Sequence, residues 1–151
     1  MFWNRGGAFA EVGALTGLKN DLSDGRAVAA IDLRGDGDMS LIITNSGQAA
    51  KLYVNKQKNA NRWFGLSLRG TRSNRDAFGA RAWVKLSDGR ELSREVRPTN
   101  GYLSQSDPRL HFGLGPTAEV ESAEIVWPSG ARQKLAKPAL GRYAEVVEPS
   151  Q

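Results

Sequence analysis

The chain has 151 residues, a formal net charge of +5, 17 glycines, one histidine and no cysteine. A 40% hydrophobic fraction is enough for a packed core, so wholesale disorder is excluded. Without cysteine there are no disulfides, thiolate metal centres or thiol nucleophiles, and one histidine excludes any multi-histidine metal site.

The first residues, Met1-Phe2-Trp3-Asn4-Arg5-Gly6-Gly7, are polar and glycine-rich where a secretory signal needs a continuous apolar stretch. The expectation is a chain with no signal peptide, or a piece of something longer. Residues 9–18 admit a helical turn or two, limited by Gly13 and Gly17. Residues 27–31, 41–44 and 51–54 are short apolar runs split by Asp/Gly and Asn/Ser/Gly clusters, the pattern of a small antiparallel meander. The polar stretch 55–61 then reads as a linker.

Beyond it, Phe64, Leu66 and Leu68 alternate with Gly65, Ser67 and Arg69, and Ala80, Ala82, Val84 and Leu86 alternate with Arg81, Trp83 and Lys85. Asp88-Gly89 tolerates the positive φ of a tight hairpin, so residues 79–86 are expected to pair with 91–97. Further strands are expected at 110–112, 121–127, 132–135 and 143–147, with a turn at Trp127-Pro128-Ser129-Gly130. Ala123, Ile125 and Trp127 share one strand face and Glu124 lies on the other. The fold class is all-β. Residues 61–149 form one antiparallel β-sandwich, and residues 1–57 form a separate meander too small to be stable alone. That meander must dock on the sandwich or self-associate through its strand edges. No apolar run approaches the ~18–20 residues of a membrane span.

The positive excess lies in residues 61–115, which hold ten basic and five acidic side chains. A basic face can attract phosphate or acidic glycans. The alternative is a solvated strand face with counter-charges such as Asp76, Glu91 and Glu95, and this alternative is preferred. Nucleic acid is disfavoured as a partner because no reading module accompanies the charge.

The densest chemical signal is Asp32-Leu33-Arg34-Gly35-Asp36-Gly37-Asp38-Met39-Ser40, between two expected strands. Alternating carboxylates on a glycine-bent loop suit Ca²⁺, which takes 6–8 oxygens. Asp32 and Asp36 stand at loop positions 1 and 5, with Asp38 able to add a carbonyl or its side chain. Positions 3 and 9 are Arg34 and Ser40, so two carboxylates are missing. A guanidinium at Arg34 can satisfy the same aspartates itself.

Two other loops concentrate planar hydrogen-bonding groups: Arg72, Asn74, Arg75 and Asp76 in one, and Ser104, Gln105, Asp107 and Arg109 in the other. These groups suit a carboxylate, a sulfate or sugar hydroxyls. They equally suit turns that cap themselves, with Arg75 or Arg109 paired to Asp76 or Asp107. A hydrolase would need His111 as base with Ser104 or Ser106 as nucleophile. However, His111 falls inside an expected strand and no nucleophile elbow is present. No catalytic residue is assigned.

The runs Asn4-Arg5-Gly6-Gly7-Ala8-Phe9-Ala10-Glu11-Val12, Asp24-Gly25-Arg26-Ala27-Val28-Ala29-Ala30-Ile31-Asp32 and Ile43-Thr44-Asn45-Ser46-Gly47 resemble one FG-GAP/VCBS-type repeat, a blade unit of integrin-like β-propellers. The runs Gly70-Thr71-Arg72-Ser73-Asn74-Arg75-Asp76-Ala77-Phe78-Gly79-Ala80-Arg81, Gly101-Tyr102-Leu103-Ser104-Gln105-Ser106-Asp107-Pro108 and Leu110-His111-Phe112-Gly113-Leu114-Gly115, with Trp127-Pro128-Ser129-Gly130, resemble the ASPIC/UnbV domain of the cartilage-acidic-protein-like family. The resemblance implies a propeller-blade-like N-terminal part and a C-terminal β domain. It also implies an extracellular or periplasmic location, calcium linkage through the aspartate loop, and an adhesive or scaffolding role with a protein or glycan partner. It brings no catalytic residues and requires no cofactor.

Overall fold

The computed structural model describes residues 1–18, 22–116 and 119–150, and its described elements are twelve strands and one short helix. β1 (Phe2–Asn4) pairs with β2 (Phe9–Glu11), and α1 (Gly13–Thr16) follows. β3 (Gly25–Ile31), β4 (Ser40–Asn45) and β5 (Gln48–Tyr53) form an antiparallel three-stranded sheet. The remaining strands are β6 (Arg62–Arg69), β7 (Arg81–Leu86), β8 (Glu91–Glu95), β9 (Leu110–Gly115), β10 (Val120–Val126), β11 (Arg132–Ala136) and β12 (Tyr143–Val147). They build two sheets, in the orders β11-β10-β7-β8 and β12-β6-β9.

The core lies between these two sheets. Phe64 and Leu66 of β6 and Leu110, Phe112 and Leu114 of β9 meet Ala82, Val84 and Leu86 of β7 and Ala123 and Ile125 of β10. Strict alternation on β7 buries Ala82, Val84 and Leu86 and turns Arg81, Trp83 and Lys85 outward. Each large apolar side chain buried here contributes about 1.5–3 kcal/mol relative to exposure. The Asp88-Gly89 hairpin forms as expected: Gly89 takes φ 83° and Leu86 N donates to Arg90 O at 3.0 Å.

Two expectations change. The sandwich is not wholly antiparallel, because β12 runs parallel to β6 with Tyr143 opposite Gly65. After the β10–β11 hairpin in one sheet the chain crosses to the other and enters beside β6 in the same direction, as a crossover connection allows. Residues 9–11 are a strand, so the helix is confined to one turn. Asn4 Oδ1 accepts from Gly6 N and Gly7 N, both glycines have positive φ, and this closes a hairpin onto β1.

The sheet β3-β4-β5 has no core of its own. Among the described residues every fully buried apolar side chain lies between positions 64 and 146, while Val28 and Leu52 remain 49% and 53% exposed. The buried side chains on this N-terminal side are polar: Asp32, just after β3, and Ser40. The free edge of β3 rests on the sandwich. Asp107 N donates to Ala30 O at 2.9 Å, and Ala30 N donates to Ser106 Oγ at 3.1 Å.

Candidate functional site

The aspartate loop folds inward on this contact. Asp32 is 3% exposed, and its carboxylate accepts from Asp36 N at 3.2 Å, Gly37 N at 2.9 Å and Tyr143 Oη at 3.0 Å. Gly37 adopts φ 87°, and a Cβ there would overlap the Trp63 indole. Arg34 lies among the other carboxylates, donating through Nε to Asp36 at 2.5 Å and through Nη2 to Asp38 at 3.2 Å. That pairing lowers the Asp36 pKa, chiefly through the Arg34 hydrogen bond. Ser40 Oγ accepts from Asn55 N at 3.3 Å and so holds the exit of the sheet. The oxygens Ca²⁺ would need are already engaged by a guanidinium, a phenol and backbone amides. Among the described residues no three His, Cys, Asp or Glu side chains are grouped to hold a metal. As folded, the donor set does not fit the ion.

The loop containing Ser104, Gln105 and Asp107 is the other half of the junction. Ser106 Oγ accepts from Ala30 N and Asn100 Nδ2, and Asp107 forms an ion pair with Arg109 at 2.5 Å. Arg109 Nη2 donates to Asp32 O at 3.0 Å, and its guanidinium lies 4.1 Å from the Tyr143 ring centroid. Burial opposes ionisation of Asp107, but Arg109 outweighs it and lowers the pKa. Burial and the bond to Asp32 raise the Tyr143 pKa. Asp107 and Arg109 are therefore clamps between sheet β3-β4-β5 and the sandwich.

The Arg72–Asp76 loop is held from behind by a residue the sequence reading missed. Glu148 is 2% exposed and accepts from Thr71 N, Arg72 N and Ser73 N at 2.7–2.9 Å, and from Ser129 Oγ at 2.5 Å. Burial works against its charge, yet the bonds from Ser129, Ser73 and Thr71 lower its pKa to about 2. Asn74 is consumed locally, bonding Phe78 N and O at 2.8 and 2.9 Å. Arg72, Arg75 and Asp76 are exposed. Asp76, Gln105 and Arg109 come together around a cavity of about 580 Å³, beside Phe78.

The larger opening is a groove of about 750 Å³ between the sheet β3-β4-β5 and the sandwich. Ala30 and Met39 form one wall, Arg81 and Trp83 line it from the outer face of β7, and Arg94, Arg97, Arg109 and His111 also line it, with Arg94 opposite Ala82 at the sheet edge. Four guanidiniums face two carboxylates, Glu95 and Asp107. Glu95 is shared by Arg81 at 3.2 Å and Arg97 at 3.9 Å, and Asp107 is taken by Arg109. Arg94 lies over the Phe112 ring at 5.7 Å and donates to Ser93 O. Trp83 stands on the outer face of β7, 38% exposed. Of the expected counter-charges, Glu95 lies in this groove and pairs with Arg81 and Arg97 there.

His111 stacks on Trp63 with centroids 5.4 Å apart, and its enclosed Nδ1 has no hydrogen-bond partner among the described residues. Burial lowers its pKa, with Asp32 opposing the effect and Arg94 adding to it. Ser106 Oγ accepts from Ala30 N and Asn100 Nδ2, and among the described residues neither Ser104 nor Ser106 hydrogen-bonds the His111 Nδ1. The arginine–tryptophan groove was missed because its residues come from separate strands. The available signal was Arg81-x-Trp83-x-Lys85, which puts an indole on the solvent face of a strand.

A protein-family profile described as "ASPIC and UnbV" matches residues 70–151. Cartilage acidic protein 1 of Xenopus tropicalis is 32% identical over 112 residues, covering 71% of this chain and 17% of that protein. Cartilage acidic protein 1 of Mus musculus is 28% identical over 133 residues, covering 83% of this chain and 20% of that protein. The human protein of the same name matches to the same extent. The chain thus spans about a fifth of the length of these curated relatives. Among the described residues no helix is long and apolar enough to cross a membrane.

Proposed function

The chain belongs to the ASPIC and UnbV family, and on that premise we propose that it is a non-enzymatic interaction module that works outside the cytoplasm and binds an anionic ligand in the arginine-lined groove. The observation that carries this reading is the convergence of Arg81, Arg94, Arg97 and Arg109 on one 750 Å³ groove holding only two carboxylates. Guanidiniums recognise sulfate and carboxylate by paired, directed hydrogen bonds. The name cartilage acidic protein 1 carried by these relatives supports a place outside the cytoplasm.

In this reading the sheet β3-β4-β5 is a blade-type FG-GAP/VCBS unit and residues 61–149 are the ASPIC/UnbV-like domain. The Asp32 loop is assigned to joining the two, with Arg34 in the place a calcium ion would take. The loop residues Asp76 and Gln105 offer a secondary polar surface beside the groove, around the smaller cavity. An array of sulfated glycans, acidic peptides and duplex DNA, probed at about 150 mM salt and again at higher salt, tests the proposal. Retention of an anionic class that weakens with salt and with Arg94→Ala supports it. Retention of none overturns it.

A further inference from the structure

Resting on the anionic-groove reading, we infer that the ligand is a sulfated or uronate-bearing carbohydrate, with one sugar ring seated on Trp83 and its anionic group held by Arg81 and Arg97. The groove pairs an aromatic plane with cations. Trp83 is 38% exposed on a strand whose inward partners, Ala82 and Val84, are fully buried. An exposed indole beside guanidiniums offers an apolar face and directed charge at one place. A pyranose presents the matching chemistry: C–H groups on one face and hydroxyl or sulfate oxygens at the rim. Asn100 lines the same groove and supplies a planar donor and acceptor for hydroxyls.

Two other anionic classes fit less well. An acidic peptide adding as a strand to β8, the edge of its sheet, would need the free backbone groups of that edge. Arg94 Nη1 already donates to Ser93 O at 2.9 Å, which caps the edge at its centre. Single-stranded nucleic acid stacks successive bases on successive rings. Among the described lining residues the rings are Trp83 and His111, and His111 is already stacked on Trp63 with centroids 5.4 Å apart.

The test is calorimetric titration of the full chain with four probes: a sulfated heparin-type hexasaccharide, maltohexaose, hexaglutamate and a thymidine hexanucleotide. The expected result is binding of the sulfated hexasaccharide at least about tenfold tighter than of any other probe, which corresponds to about 1.4 kcal/mol. Trp83→Leu should weaken that binding about tenfold, Trp83→Tyr should largely restore it, and both variants should melt with the parent. Equal binding of hexaglutamate or the hexanucleotide, or indifference to Trp83→Leu, overturns the carbohydrate assignment and leaves the anionic groove standing. Binding of none of the three charged probes overturns both.

Discussion

The Tyr143 hydroxyl donates to the Asp32 carboxylate at 3.0 Å, linking the last strand of the sandwich to the loop that follows β3, 111 positions earlier in the chain. Tyr143 is carried on β12 directly opposite Gly65, the residue whose missing side chain leaves room for the phenol ring. Because sheet β3-β4-β5 buries no large apolar side chain, this bond and the Arg109 clamp substitute for a hydrophobic interface.

Tyr143→Phe should therefore lower unfolding stability by about 1.5–3 kcal/mol, the range for a hydrogen bond to a charged group. Urea denaturation measures the loss. Hydrogen exchange at the Ala30 amide should accelerate in the same variant, because its bond to Ser106 belongs to the same junction. An unchanged midpoint with unchanged exchange would mean that the junction is held elsewhere.

The folded protein raises the Tyr143 pKa above its ordinary value near 10, so the phenol keeps its proton longer than in the unfolded chain. Stability from this group is complete below the unfolded value and is lost as pH rises above it toward the folded one. A melting-temperature profile through the alkaline range should fall, and the fall should be shallower in Tyr143→Phe.

Glu148 has the opposite sign. Its pKa is lowered to about 2 from an ordinary 4.5, so its contribution is complete above 4.5 and is lost as pH falls from there toward 2. Glu148→Gln should melt lower at neutral pH and show a flatter acid limb. Parallel acid limbs for parent and variant would refute a charged role for this residue.

At the aspartate loop, calorimetric titration with CaCl2 should give no saturable heat, since Arg34 occupies Asp36 and Asp38. Gly37→Ala should destabilise the fold by about 1–2 kcal/mol from positive φ alone, with the overlap against Trp63 adding to it. Micromolar calcium binding by the parent would show that Arg34 gives way to the cation.

Much of the fold was legible because it rests on local rules. The inward set Ala82, Val84 and Leu86 and the Asp88-Gly89 turn are written in period-two alternation and in glycine's freedom at positive φ. The parallel pairing of β12 was not legible, since its composition would suit either direction and only the crossover path decides. At the site, Arg34 was read correctly as a neighbour of Asp36 and Asp38 because the three lie within one loop. The pairing of Arg109 with Asp107 is one of two readings their loop allows, and their work as clamps depends on Ala30 and Asp32, more than seventy positions away. Glu148 escaped notice because a lone glutamate near the C-terminus carries no local signal; its partners are the amides of residues 71–73. The groove is likewise assembled only when β7, β8 and the edge of β3 meet.

The central claim is that the groove binds an anion, and one titration bears on it most directly. A sulfated hexasaccharide is titrated into the parent chain, into Arg81→Ala/Arg94→Ala/Arg97→Ala, and into Arg132→Ala, which removes a guanidinium paired with Glu124 outside the groove. The prediction is saturable binding by the parent and by Arg132→Ala that weakens steeply with salt. The triple variant, melting with the parent, should lose binding. Equal binding by all three chains, or none by the parent, would contradict the account.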